Sequence, residues 1–262
     1  MAVASFRLWP SPPPSSWLLG TSKPPPEPRS SHCCCSPKLS LSSTDKTLRE
    51  IKNSGIIACL RAQSSELAIE AARAALSGGI SVLEIVMSTP GVFEVLQQLV
   101  QDHPTTVLGV GTVLNTKDAN NAINAGAKFL MSPAMVKGIV DDIQGGDILY
   151  IPGAMTPTEI LSAYNAGSKI VKVYPVSASG GIQYISALNK PFSHIPMVAS
   201  QGIQIDLIEE YIAHGAAAVV LSDAIFDKEA MGQRNFNAIY HLAHIAAMQG
   251  SEAVERSNSK SN

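Results

Sequence analysis

Most of what marks a membrane, nucleic-acid or disulfide-built protein is missing from this chain. No apolar run approaches the roughly 20 residues needed to cross a bilayer, because Gly, Pro or a charged residue cuts every greasy segment within about ten residues. No basic block stands out, and the formal net charge is -2, so the electrostatic footprint of a nucleic-acid binder is absent. Cysteine is scarce: of four in 262 residues, Cys33, Cys34 and Cys35 are adjacent, a spacing that does not suit a zinc site. Beyond them only Cys59 remains, so that part of the chain has no internal disulfide to form, which fits a reducing compartment. The dinucleotide fingerprint is also incomplete: LGVGTV offers Gly109 and Gly111 but no third glycine and no downstream ribose acid.

What is present is an ordinary globular composition, 45% hydrophobic and 15% charged, enough for one large domain or two small ones, with a small molecule as the expected partner. The first 43 residues differ from the rest. They are rich in Ser and Pro, carry Arg7, Lys23, Arg29 and Lys38 against one acid, Glu27, and hold both tryptophans, Trp9 and Trp17. SWLLG at 16–20 is too short for a secretory apolar core, so an organellar transit peptide is expected. The Met-Ala start and Ser-rich body resemble chloroplast rather than mitochondrial leaders; a plain disordered tail is the alternative.

From residue 44 onward, short apolar runs alternate with helical patterns. Strands are expected at 56–62, 81–87, 105–113, 127–133, 147–153, 169–175, 195–200 and 216–222. Between them SSELAIEAARAALSGG, NTKDANNAINAG and TPTEILSAYNAG read as helices that stop on glycine just before the next strand, with Ser64 or Ser65 as the first cap. A helix at 44–53 precedes the first strand and could cover the barrel's bottom. A last helix is expected at 231–248, followed by a disordered tail over 251–262. Eight strand and helix units with near-continuous apolar strands argue for a parallel α/β sheet closed into a (β/α)8 TIM barrel over 44–250; an open doubly wound sheet is the runner-up.

Function in such a barrel collects at the carboxyl ends of the strands. Two charges there are costly. Glu84 shares its face with Val82 and Val86, and Lys172 with Ile170 and Tyr174, so either both charges point into the barrel or both point at the helix layer. One reading is structural, an ion pair or head groups that reach water. The other is chemical. Burial disfavours the ammonium form and so supplies free amine, a nucleophile toward carbonyl carbon, and a carboxylate nearby can move the protons of imine formation and carbon–carbon cleavage.

Taken in order, VLEI at 82–85, GVGTVLN at 109–115, SP at 132–133, IPG at 151–153 and KVYP at 172–175 make residues 46–248 resemble the bacterial class I aldolases that cleave 2-keto-3-deoxy-6-phosphogluconate or 4-hydroxy-2-oxoglutarate. The resemblance implies a homotrimer of barrels, no cofactor and no metal. It makes Lys172 the Schiff-base lysine and Glu84 the carboxylate that transfers protons through a bound water, with Thr112 and nearby backbone N–H groups on the pyruvate carboxylate. Arg61, Ser88, Pro133, Ser200, Gln201, Gly202, Ser222 and Asp223 complete the expected substrate site.

Three positions depart from the family's pattern. Ser88 stands where an arginine usually follows the glutamate by four residues, so the carboxylate loses a bidentate partner, and Arg61 is the nearest candidate to compensate. Ser200-Gln201-Gly202 replaces Thr-Gly-Gly, and Ser222-Asp223-Ala224 replaces Gly-Gly-Ser, in the loops where barrels usually hold phosphate. Asp223 beside a phosphate at roughly 5 Å would repel it by about 3 kcal/mol per charge at an effective dielectric near 20; the alternative is that Asp223 caps a short helix beginning at Ala224. The expected activity is retro-aldol cleavage of a 2-oxo acid through a lysine imine. Alternatives are a decarboxylase or dehydratase using the same lysine, or a non-catalytic barrel in which Lys172 and Glu84 form a structural pair.

Overall fold

The computed structural model describes residues 41–143 and 145–261. The expected leader therefore lies outside the described residues except for its last three, where the Ser42 side chain accepts from the Asp45 N–H at 3.1 Å and caps helix Ser43–Ser54.

Among the described residues, nine parallel strands form one sheet: β1 Ile56–Leu60, β2 Val82–Val86, β3 Val107–Gly111, β4 Phe129–Met131, β5 Leu149–Ile151, β6 Gly153–Ala154, β7 Val171–Val173, β8 Met197–Ser200 and β9 Ala218–Leu221. Their order is β5-β4-β3-β2-β1-β9-β8-β7-β6. The two ends of that order are consecutive in sequence, separated by Pro152 alone. The fifth expected strand is thus broken at a residue that has no N–H to give the ladder, and each half pairs with a different neighbour. The Pro152 carbonyl still accepts from the Lys172 N–H at 2.8 Å. The barrel expected from the sequence is confirmed, and neighbour-to-neighbour order excludes the doubly wound alternative.

Side chains alternate between two apolar layers. Ile57, Val82, Phe129, Ile151, Ile170 and Val198 pack inside the barrel with Ile51 from the first helix. Leu60, Leu83, Ile85 and Val173 face outward onto the helices. Ile51 is fully buried and makes helix Ser43–Ser54 the barrel's floor, as expected. The helix, glycine, strand unit also holds. Ser64 caps Ser65–Ser77, Asn115 caps Thr116–Asn124, and Thr156 with Glu159 forms a capping box on Pro157–Asn165. Gly126 and Gly167 then turn the chain at φ +99° and +96°, a conformation that a Cβ disfavours.

The C-terminal expectation needs correction. A short helix, Lys228–Gly232, is followed by one long helix, Phe236–Ser261, and residues 251–261 are not a loose tail. Their polar composition hides an apolar stripe. Ala246, Gly250, Ala253 and Val254 recur at helical spacing; Ala246 and Ala253 are buried, and Val254 lies over Gly55 beside Ile212. Gly250 permits that approach, since a Cβ there would lie 2.5 Å from the Ser54 carbonyl oxygen. Arg256 adds an exposed pair to Glu209 at 2.6 Å.

Candidate active site

Glu84 belongs to the same inner row as Val82, and Lys172 to the same row as Ile170, so both charges point into the barrel. They are 1% and 7% exposed. Register brings Cys59 of β1 opposite Glu84 and places Lys172 between Gly153 and Val198. The reading of Glu84 and Lys172 as a buried ion pair is overturned: among the described residues neither joins an ion pair, and Glu84 Oε2 is buried with no hydrogen-bond donor. Lys172 Nζ instead lies 5.1 Å from the centre of the Tyr174 ring, within cation–π range. A buried acceptor without a donor is uncommon and marks a place where a ligand or solvent group belongs.

Two glycines make room for this wall. A Cβ at Gly111 would lie 1.5 Å from Glu84 Oε1, and one at Gly109 would lie 2.5 Å from the Phe129 ring. Cys59, opposite Glu84 in the register, is partly buried. Burial, reinforced by the Glu84 carboxylate and opposed by Lys172 and Arg61, pushes its thiol well up, so it stays protonated and is a poor nucleophile.

Thr112 follows Gly111 at φ +60°. The Val113 N–H donates to the Met131 carbonyl at 3.1 Å, and the Val113 carbonyl accepts from Ser132 Oγ at 2.6 Å. Pro133, half-buried, is held against β6 because Gly153 has no Cβ: one there would lie 2.1 Å from the Pro133 carbonyl oxygen. That contact gives the SP and IPG motifs a common physical reason.

Arg61, Ser88, Ser222 and Asp223 come together around one cavity of about 920 Å³, with Gln63 and Lys228. Arg61 makes no ion pair with Glu84 and does not stand in for a guanidinium on that carboxylate; it shares the cavity with Ser88 instead. Ser222 Oγ donates to the Cys59 carbonyl at 2.9 Å. Asp223 is not a helix cap. That role falls to Asp227, which accepts from the Ala230 N–H at 2.9 Å, while Asp223 pairs with Lys228 at 3.4 Å. Both partners are largely exposed, so the pair contributes about 0–1 kcal/mol, but it sets a cation beside the carboxylate that sequence alone left facing a phosphate.

Ser200 ends β8 and is buried. Gln201 and Gly202 follow at φ +91° and +74°, and Ser177 Oγ donates to Gln201 Oε1 at 2.6 Å. Gln201 thus takes a conformation that costs a side-chain-bearing residue about 1–2 kcal/mol, braced by Ser177. No hydrogen bond among the described residues joins this loop to Ser222 and Asp223. Cys59, Ser177 and Lys228 were missed as site residues from sequence. Lys228, in the run after the eighth strand, was the one with a readable signal, a cation five residues beyond the misplaced acid.

The sequence profile described as KDPG and KHG aldolase matches residues 47–242. The chain belongs to this family. It is therefore a class I aldolase, a carbon–carbon lyase. Among relatives, the 2-dehydro-3-deoxy-phosphogluconate aldolase of Treponema pallidum is 33% identical over 159 residues, 61% of this chain and 76% of that protein. The KHG/KDPG aldolase of Escherichia coli K12 is 28% identical over 181 residues, 69% of this chain and 85% of that one. A solved structure of the Legionella pneumophila KDPG aldolase, holding pyruvate as a covalent carbinolamine captured at low pH, superposes with a TM-score of 0.71 at 27% identity, covering 76% of this chain and 97% of that one.

The close approach of Glu84 to Gly111 makes one substitution decisive. Gly111→Ala must push the Glu84 carboxylate aside, and a displacement of about 1 Å costs about 100-fold in rate. The variant is expected to keep its fold by circular dichroism while kcat for aldol cleavage falls by about that factor; an unchanged kcat would show that Glu84 is not where the chemistry is.

Proposed function

We propose that this aldolase cleaves 2-keto-3-deoxy-6-phosphogluconate or 4-hydroxy-2-oxoglutarate to pyruvate and an aldehyde through an imine on Lys172. The observation that carries the reading is the pair of buried, mutually unpaired charges on one inner wall, with Glu84 Oε2 lacking any donor. A salt bridge would quench both groups; apart, each is open to a substrate.

The Lys172 amine adds to the C2 carbonyl to give a carbinolamine, which loses water and leaves a protonated imine. That imine withdraws the electron pair of the C3–C4 bond. Glu84, acting through a water, takes the C4 hydroxyl proton as the bond breaks and the aldehyde departs. The enamine is protonated at C3, and hydrolysis of the imine frees pyruvate and restores the amine. Thr112 binds the keto-acid carboxylate. The cavity lined by Arg61, Ser88, Ser222 and Asp223 accepts the distal end, where Arg61 and Lys228 supply positive charge against the single acid Asp223. Pro133, Ser200, Gln201 and Gly202 shape the remaining rim.

Borohydride reduction in the presence of pyruvate is expected to leave one stable adduct, mapped by mass to the peptide containing Lys172. Lys172→Met should lose the adduct and all turnover while remaining folded; turnover retained by that variant would sink the imine.

The trimer is part of the same proposal. Leu114, Met135 and Met155 are 55%, 38% and 45% exposed on the successive loops after β3, β4 and β6, an apolar rim suited to a second copy of the chain. Light scattering should then return three times the subunit mass, and a monomer at micromolar concentration would count against it. The composition of residues 1–43 supports delivery to a plastid, with the mitochondrion second; a fluorescent fusion to this segment that stays cytosolic would defeat both.

A further inference from the structure

Thr112 is held from both sides. Before it, the Gly111 carbonyl accepts from the Met87 N–H at 2.9 Å; after it, both polar groups of the Val113 peptide are bound to the β4 side. Between these anchors the chain takes φ +60° at a β-branched residue, which is rare unless the surroundings impose it. Among the described residues nothing bonds the Thr112 N–H or its hydroxyl. The strained conformation thus leaves one donor and one hydroxyl free at the barrel mouth.

The anchor after Thr112 is the end of a hydroxyl chain. Tyr150, a residue of β5 facing the helix layer, is 5% exposed. Its hydroxyl accepts from the Val136 N–H at 3.1 Å and donates to Ser132 Oγ at 3.0 Å; Ser132 in turn donates to the Val113 carbonyl at 2.6 Å. The Ala134 carbonyl, at 3.5 Å, is a poorer alternative acceptor. Each hydroxyl therefore accepts one bond and donates one, an order in which successive bonds reinforce each other. Burial pushes the Tyr150 phenol up, so it remains a donor throughout the neutral range. The chain ties together strand β5 and the loops after β4 and β3.

We propose that Tyr150 is a positioning residue, which through Ser132 and the Val113 carbonyl holds Thr112 in the conformation that receives the keto-acid carboxylate. This rests on the assignment of that carboxylate to Thr112 made above. Tyr150 touches no substrate. Its effect is on how well the acceptor end of the site is formed before substrate arrives.

The test compares the unsubstituted protein with Tyr150→Phe, Ser132→Ala and Ser132→Thr. It reads the pyruvate concentration that half-saturates borohydride trapping on Lys172, and the kcat and KM of cleavage. Loss of one buried hydrogen bond in the relay is expected to raise half-saturation and KM about tenfold with kcat within about twofold. Ser132→Ala should do the same or more, and Ser132→Thr, which keeps the hydroxyl, should stay near the unsubstituted value. In a Thr112→Ala background, Tyr150→Phe should add less than about twofold, because both act through one contact. A purely structural tyrosine would lower the melting temperature and leave half-saturation unchanged, and that result overturns the relay alone. If the unsubstituted protein forms no adduct on Lys172, the imine reading falls and the relay falls with it.

Discussion

Two opposite charges stand inside an apolar barrel without touching each other, and the rest of the structure accommodates that constraint. A buried charge is costly unless it is paired or bound to a ligand, so the barrel must confine the cost to one wall. It does so with shape. Gly111 and Gly109 clear space for the Glu84 carboxylate and the Phe129 ring; the Tyr174 ring sits near the Lys172 head group; Ile51 packs into the inner apolar layer at the floor. If Glu84 and Lys172 had met, the cost would be smaller, and neither would be open to a ligand.

Around that wall, the loops are rigid where a flexible loop would blur the site. Thr112 and Gln201 both take positive φ, and each is flanked by bonds that impose it, through Ser132 on one side and Ser177 on the other. Strain of this kind persists only where the surroundings over-determine it. The broken fifth strand belongs to the same scheme. Pro152 separates two pairings, and Gly153 lets the Pro133 backbone lie against β6, so closure of the barrel and the shape of the mouth depend on the same three residues.

The distal cavity is less uniform. Arg61, Lys228 and Asp223 all line it, and Asp223 pairs with Lys228. Two cations and one carboxylate thus share the wall, with a cation five residues from the acid.

The faces that Glu84 shares with Val82 and Lys172 with Ile170 already fixed that both charges lie on the same side of the sheet, whether inside the barrel or against the helices, because successive side chains in a strand point to opposite faces. Where the strands lie, the helix, glycine, strand repeat and the family were legible for the same reason: they are local or periodic. Some outcomes were not. Whether Glu84 and Lys172 pair depends on the barrel's diameter and on what glycines leave open. That Asp227 rather than Asp223 caps a helix depends on where the turn after β9 ends, and that residues 251–261 stay helical depends on a groove made by Gly55 and Ile212, far away in sequence. The reach of the Tyr150 hydroxyl to Ser132 also follows only from closure, which brings strand β5 and the loops after β4 and β3 within about 3 Å of one another's polar groups. The sequence by itself determined which residues share a face; the tertiary structure decided which face is the interior and which residues meet there, because both depend on closure and on distances across the barrel that no local pattern encodes.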